Sequence, residues 1–370
     1  MFEQLPTPTL LVDLDRLKHN IQEMQSAADA RKVEVRPHIK THKSIEVAKL
    51  QLQAGAAGLV CAKLSEAEVM LPAMQSTLPG RPLSIFIAHS LVDPNCAPRL
   101  RALSEHIDEL VVACTSELHA IALEAVLAKA DLRLPVMLAI DTGLGREGVR
   151  KMESAIQAAA KIATSPHMSL HGLYTHEGHL YSTTVEDSDA AVREVHRRLC
   201  EIRDAIVSQV GIEHLRLWPG STVSARRMIE LPGVDAVRPG SYVYGDVSHT
   251  TTTRVMETNQ VALTVLSTVI DRPESDLALI DAGTKVFSGD RTAQGLYGRE
   301  WSGRDLNVVK CSEEHGHVQG SDVEELQIGK RLRLVPAHTC PAVNLADCIT
   351  LISHDQVIGE WKVDARGCVI

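Results

Sequence analysis

The chain has 370 residues, with 38 Lys and Arg against 47 Asp and Glu, a formal net charge of −9, and only 3% aromatic residues. An apolar share of 44% and a charged share of 23% belong to a folded protein with ample core, which excludes a disordered chain or a small disulfide-stapled scaffold. The acidic balance and the scarcity of rings exclude a basic, stacking nucleic-acid groove, so small molecules are the expected partners.

At ~150 residues per domain the length allows two domains. No apolar run approaches the ~18 residues of a membrane span, and Met1-Phe2-Glu3-Gln4 lacks the basic flank and apolar stretch of a secretory signal, so a cytoplasmic protein without a membrane partner is expected. Eight cysteines stand at positions 61, 96, 114, 200, 311, 340, 348 and 368 with no C-x-x-C pair. In a reducing compartment they read as buried thiols rather than bridges or a zinc-finger framework.

In chain order, Asp13–Ala28 reads as an amphipathic lead-in helix, with Asp13 as its cap and Leu14, Leu17, Ile21 and Met24 on one face. Apolar runs then alternate with helical stretches: strands are expected at Val33–Ile39, Gly58–Ala62, Leu83–Ala88, Glu109–Ala113, Pro135–Asp141, Ser169–His176, His214–Trp218 and Asp235–Tyr242. Eight β/α units fit an α/β fold of the (β/α)8, TIM-barrel type. From about Asn259 the strands follow one another without helices, at Val261–Ile270, Leu277–Ile280, Leu326–Val335, Cys348–Ser353 and Val357–Lys362. The expected domains are a barrel over 1–250, lead-in helix included, and a β-rich domain over 251–370.

In Arg36-Pro37-His38-Ile39-Lys40-Thr41-His42-Lys43, period two puts Arg36, His38 and Lys40 on the barrel-facing side of the first strand. Lys40 then stands at the strand's C-terminal end, the catalytic face of barrels, where burial and neighbouring cations lower an amine pKa and favour Schiff-base chemistry; a solvated basic turn is the alternative. Trp218-Pro219-Gly220-Ser221-Thr222 opens a helix after the seventh strand, and Arg238-Pro239-Gly240-Ser241-Tyr242 follows the eighth. Both are places where barrels bind phosphate, although each glycine loop alone also reads as a plain turn. A lysine after strand one with phosphate loops after strands seven and eight matches pyridoxal 5'-phosphate. Asp141–Arg146 and Tyr174–His179 end strands five and six and bring Arg146, Tyr174 and His176 to the same mouth. There a guanidinium binds the cofactor's phenolic oxygen or a substrate carboxylate, and an imidazole packs on the pyridine ring. His338-Thr339-Cys340 offers imidazole and thiolate on an extended segment, a set that suits zinc with open positions, although on spacing alone a buried thiol beside a surface histidine fits better. His315, in Ser312-Glu313-Glu314-His315-Gly316-His317, is a candidate acid/base or third-ligand source, or part of a polar hairpin.

Together these motifs resemble the fold-type III pyridoxal phosphate enzymes of alanine-racemase-like fold, and within them the D-serine dehydratase / D-threonine aldolase family. The resemblance runs nearly end to end, from Leu5-Pro6-Thr7-Pro8 and the Arg36–Lys43 motif through Gly220-Ser221-Thr222, Pro239-Gly240-Ser241-Tyr242 and Asp281-Ala282-Gly283-Thr284-Lys285 to Ser312–Gly316 and His338–Pro341. It implies that Lys40 carries the cofactor, that His338 and Cys340 hold a divalent metal, zinc before manganese, and that His176 stacks on the cofactor with Arg238 at its ring nitrogen. The implied reaction is loss of water from a D-amino acid with a β-hydroxyl, giving a keto acid and ammonia, with Lys40 as base at Cα. Cys340 leans toward the dehydratases, since well-known D-threonine aldolases have Asp at that position. The alternatives are an aldolase releasing glycine and an aldehyde, with His315 as base, a racemase using Tyr297, or a non-catalytic pyridoxal phosphate carrier. A homodimer is expected on the same resemblance.

Overall fold

The computed structural model describes residues 2–183 and 185–370. The first strand, β1 (Thr9–Asp13), is followed by β2 (Glu34–Val35), β3 (Leu59–Cys61), β4 (Ser84–Ser90), β5 (Glu109–Cys114), β6 (Leu134–Ala139), β7 (Met168–Thr175), β8 (Arg216–Pro219) and β9 (Ala236–Val237), with helices between consecutive members from β2 to β9. Strands β3 to β8 form a parallel sheet in sequence order, and β2 pairs in parallel with β9. Backbone bonds close the ring: Ala57 and Val60 N–H donate to Val35 and Pro37 O on one side, and Asp235 N–H to Leu217 O on the other. All eight expected strands are therefore present in a (β/α)8 arrangement. Their apolar runs are buried on both faces, as parallel strands under crossover helices must be. Val60, Phe86, Val111, Met137, Tyr174 and Trp218 fill the interior, with Phe86 edge-on to Tyr174 at 5.1 Å and to Trp218 at 5.6 Å between centroids.

The first barrel strand is shorter than its apolar run suggests. Only Glu34–Val35 is regular, and Ile39–Thr41 turns as a 3-10 helix. Pro37 has no N–H to give the ladder, although Arg36 and His38 N–H still reach Val237 and Pro239 O at 2.9 Å. At the opposite end from Lys40, the buried Arg36 guanidinium bonds Glu34, Ser84 and Glu109 and lies 4.2 Å over the Trp218 ring.

The later strands are β10 (Leu263–Glu274), β11 (Leu277–Ile280), β12 (Gly298–Glu300), β13 (Asn307–Cys311), β14 (Gly316–Gln319), β15 (Arg331–Pro336), β16 (Cys348–Ser353) and β17 (Gln356–Lys362). With β1 they make a nine-stranded sheet ordered β11-β14-β13-β12-β15-β10-β1-β16-β17. The five strands expected here are all present; β1, β12, β13 and β14 were not expected. Strand β1 runs antiparallel to β10 and parallel to β16. By contact, residues 2–22 and Thr41–Val47 cluster with Ser241–Gly367, and Glu23–Lys40, Ala48–Gly240 and Cys368–Ile370 form the barrel unit. The lead-in helix is Leu14–Asp29, capped as expected by Asp13, whose carboxylate accepts the Arg16 N–H at 3.1 Å.

Among the described residues no cysteine is bridged; Cys61 and Cys114 are buried, and the other six are partly exposed rather than buried. Burial pushes the Cys114 thiol up to about 11. Among the described residues no helix is long and apolar enough to cross a membrane.

Candidate active site

In the barrel unit, Lys40 sits in the single turn that follows β2, and its N–H faces His38 Nδ1 at 3.4 Å. His176 follows β7. Its Nδ1 lies 2.7 Å from Gly220 O; a carbonyl only accepts, so Nδ1 carries the proton and Nε2 keeps its lone pair. Burial, then the charge of Lys40, depresses its pKa to about 3. A neutral imidazole and the Lys40 side chain therefore share one neighbourhood at the C-terminal ends of the strands.

Glu177, the next residue, was not singled out, although it stands inside the quoted Tyr174–His179 stretch. It is fully buried, accepts the Gly220 N–H at 3.1 Å and the Ser224 hydroxyl at 3.0 Å, and is pushed upward by burial against the pull of Arg238. The Gly220 N–H is already held by a carboxylate, and Ser221 Oγ caps the helix Thr222–Ile229 by accepting the Ser224 N–H at 3.3 Å. The helix Thr222–Ile229 presents its N-terminal end here, the end whose dipole favours an anion. Gly220 is needed for another reason: a Cβ there would lie 2.7 Å from Arg238 Cβ.

Arg238 is buried, with Nε donating to Trp218 O at 3.0 Å and Nη2 to Thr175 O, and its guanidinium lies 5.0 Å from the Tyr174 ring centroid. Tyr174, Thr175 and His176 line one pocket with Asp141, Leu144, Arg146 and Glu147. Arg146 is half-exposed and paired fork to fork with Glu147 at 2.6 and 2.7 Å. Asp141 fixes this loop by accepting the Gly143 and Gly145 N–H groups and Arg150 Nε. Gly240 ends the β9 segment of the barrel unit.

In the second unit, Ser241 begins a buried turn, and its hydroxyl lies 3.2 Å from His249 Nε2, while His249 Nδ1 is 2.7 Å from Asp246. His338 and Cys340 are not on an extended segment. His338 stands at the N-cap position of the short helix Thr339–Leu345 without a side-chain capping bond, and Cys340 lies in its first turn. Pro341 in the first turn suits a helix start, where no N–H is required. The two side chains still meet by hydrogen bonding, and His338 Nδ1 donates to Asp290 Oδ2 at 2.7 Å. Burial opposes the imidazolium, but Cys340, Asp246 and Asp290 outweigh it and raise His338 to about 10. Thr41 Oγ1 lies 3.1 Å from Cys340 Sγ, and Lys43 Nζ donates to Asn344 Oδ1 at 2.8 Å, so the Thr41–Lys43 part of the first motif is tied to the helix that carries Cys340. Among the described residues no three His, Cys, Asp or Glu side chains gather as a ready metal cage. His315 stands exposed in the turn between β13 and β14, closed by Ser312 N–H to His315 O, and no described contact joins it to His338 or Cys340. Tyr297 lies beside them through its main chain, where its O accepts the Ala337 N–H.

Residues 12–248 match the family described as alanine racemase, N-terminal domain, and residues 262–352 match the putative serine dehydratase domain. The chain belongs to the alanine racemase N-terminal domain family. Among members of this type it is 30% identical to a 3-hydroxy-D-aspartate aldolase of Paracoccus denitrificans (strain Pd 1222), over 98% of this chain and 93% of the relative. It is also 30% identical to a D-threo-3-hydroxyaspartate dehydratase of Delftia sp. (strain HT23), over 97% of each chain. The solved structure of the latter covers 97% of this chain and 97% of its own, with a TM-score of 0.85 at 28% identity. Solved structures of that dehydratase include a histidine-to-alanine variant and a cysteine-to-alanine variant two positions further on, the second in a metal-free form. Proteins named D-threonine aldolase and D-serine dehydratase also match, at 27% and 24% identity.

Proposed function

We propose that this chain is a pyridoxal phosphate- and divalent-metal-dependent lyase of D-amino acids with a β-hydroxyl, acting as a dehydratase that yields a keto acid and ammonia. The observation that carries the reading is the His338–Cys340 pair, braced by Asp290 and touched by Thr41, the residue after Lys40. The relatives are named for D-serine, D-threonine and 3-hydroxyaspartate, which share a hydroxyl on Cβ. The His-x-Cys spacing is also that of the two residues exchanged for alanine in the Delftia dehydratase structures.

The residues fit both groups. For pyridoxal phosphate, Lys40 supplies the amine, the N-terminal end of the helix Thr222–Ile229 supplies an anion-favouring dipole, and His176 and Arg238 supply a neutral ring face and a fixed cation. For the metal, His338 Nδ1–H on Asp290 leaves Nε2 as a ligand of the kind a carboxylate orients, and the Cys340 thiolate favours zinc. When bound, the cofactor withdraws electrons from Cα and the metal acts as a Lewis acid at the β-hydroxyl. The chain's own part is to move one proton and hold the rest still. Lys40 Nζ takes the Cα proton, while His176, locked in its Nδ1–H form, neither competes for that proton nor adds charge beside the amine. Arg146 can bind a substrate carboxylate by exchanging the Glu147 carboxylate that now occupies its fork.

Aldol cleavage is the second reading, favoured by the Paracoccus relative named an aldolase at the same 30% identity. Product analysis with D-threonine separates the two, using protein supplied with pyridoxal phosphate and either zinc or manganese. 2-Oxobutyrate and ammonia establish the dehydratase; glycine and acetaldehyde establish the aldolase.

A further inference from the structure

Thr41, His42 and Lys43, the three residues after Lys40, are buried, and the first and last of them reach the helix Thr339–Leu345. Thr41 Oγ1 lies 3.1 Å from Cys340 Sγ, and Lys43 Nζ donates to Asn344 Oδ1 at 2.8 Å. Cys340 and Asn344 are four positions apart on the helix and so share one face, which the segment grips at both ends. Lys43 keeps φ at 48°, a left-handed conformation that a lysine holds only where its surroundings fix it. Its carbonyl accepts the Ala365 N–H at 2.9 Å, and the Ile45 N–H goes to Asp364 Oδ2 at 2.8 Å. Each of the two side chains offered to a metal thus has an outer hydrogen-bond partner, Asp290 for His338 and Thr41 for Cys340. A thiolate ligand only accepts, so with a metal bound it is the Thr41 hydroxyl that donates.

We propose that Thr41 and Lys43 are positioning residues for the metal, and that through them the metal and pyridoxal phosphate tighten each other's binding. This rests on the lyase reading for the presence of both groups and goes beyond it in making their affinities interdependent. The link is covalent at one end and hydrogen-bonded at the other. Lys40, the amine for the cofactor, is one peptide bond from Thr41, and Thr41 orients the sulfur that a metal needs. A ligand that orders this segment from one end leaves less to be ordered by the ligand at the other. The effect is reciprocal: the factor by which the cofactor raises zinc affinity is the factor by which zinc raises cofactor affinity.

The test reads binding rather than turnover. Zinc dissociation constants are measured by competition with a chromophoric chelator, on the apoprotein and on protein loaded with pyridoxal phosphate. Loading should tighten zinc about fivefold or more in the native protein. Thr41→Val keeps the shape of the side chain but removes the donor; it should weaken zinc about tenfold and bring the loaded-to-apo ratio close to one, and Thr41→Ser should restore both. With cobalt in place of zinc, the sulfur-to-metal charge-transfer band should move to lower energy in Thr41→Val and stay in place in Thr41→Ser. In Lys43→Met, which leaves the sulfur its donor, the band should stay and the ratio should fall. Equal zinc affinity with and without cofactor in the native protein, or native affinity and an unmoved band in Thr41→Val, overturns the proposal and leaves the lyase reading standing. A native ratio in Lys43→Met overturns the part given to Lys43. If the coupling and its loss are both seen but no D-3-hydroxy amino acid is consumed, the proposal stands and the lyase reading falls.

Discussion

His176 and Glu177 are sequence neighbours that grip Gly220 from both sides, one through its carbonyl and the other through its N–H. The grip fixes which imidazole nitrogen holds the proton, and burial beside Lys40 keeps the ring neutral, with a pKa of about 3. Since the unfolded ring titrates near ~6.5, the unfolded chain takes up its proton first as pH falls. The stability due to the neutral ring is therefore fully present above ~6.5 and is lost progressively as pH drops toward about 3. Between pH 7 and 5 that loss should be about 1–2 kcal/mol in the native protein and smaller in His176→Asn, read from urea midpoints. Gly220→Ala must displace Arg238, since the new Cβ would stand 2.7 Å from Arg238 Cβ. It should cost about 1–3 kcal/mol in thermal unfolding and weaken retention of pyridoxal phosphate on dialysis.

Strand β1 is the element with the greatest leverage for its size, five residues holding β10 to β16. Leu11 is completely buried, so Leu11→Ala should cost about 2–5 kcal/mol, whereas Ile328→Ala, on a residue 66% exposed, should stay within about 0.5 kcal/mol by the same denaturation measurement. The barrel strands were legible because burial on both faces leaves continuous apolar runs such as Leu110-Val111-Val112-Ala113. Strand β1 was not, because Thr9–Asp13 merges with the cap of the following helix, and its partners lie hundreds of positions away. Strands β12 to β14 are three to five residues each and partly polar, so they carry too few alternations to stand out. At the site, Lys40, His176 and Arg238 were legible as chemistry at strand ends. Thr41, Asp290 and Glu177 were not, because their roles come from contacts that no local pattern encodes. His338 and Cys340 were paired for a mistaken reason: they meet across a helix start, not along a strand.

At the scale of the whole molecule, the end of the barrel remote from Lys40 is closed by charge rather than by apolar side chains. Burial works to raise the Glu34 and Glu109 carboxyls, but Arg36, helped by Arg216 at Glu34 and by Ser84 at Glu109, holds both below the usual carboxylate range. Their contribution is present above pH ~4.5 and is lost as pH falls through the lowered values. Arg36→Met strands both acids beside a buried surface and should cost about 3 kcal/mol at pH 7, with acid unfolding beginning at a higher pH in a fluorescence titration. The placement of β1 reaches further, into the order of synthesis. Leu11 pairs with Thr350, so the segment Leu10-Leu11-Val12 leaves the ribosome early and waits unpaired for most of translation while the barrel strands can already find their neighbours. Contacts spanning so much of the chain make closure of the nine-stranded sheet the slow event. During that wait the exposed apolar segment is a natural target for a holding chaperone.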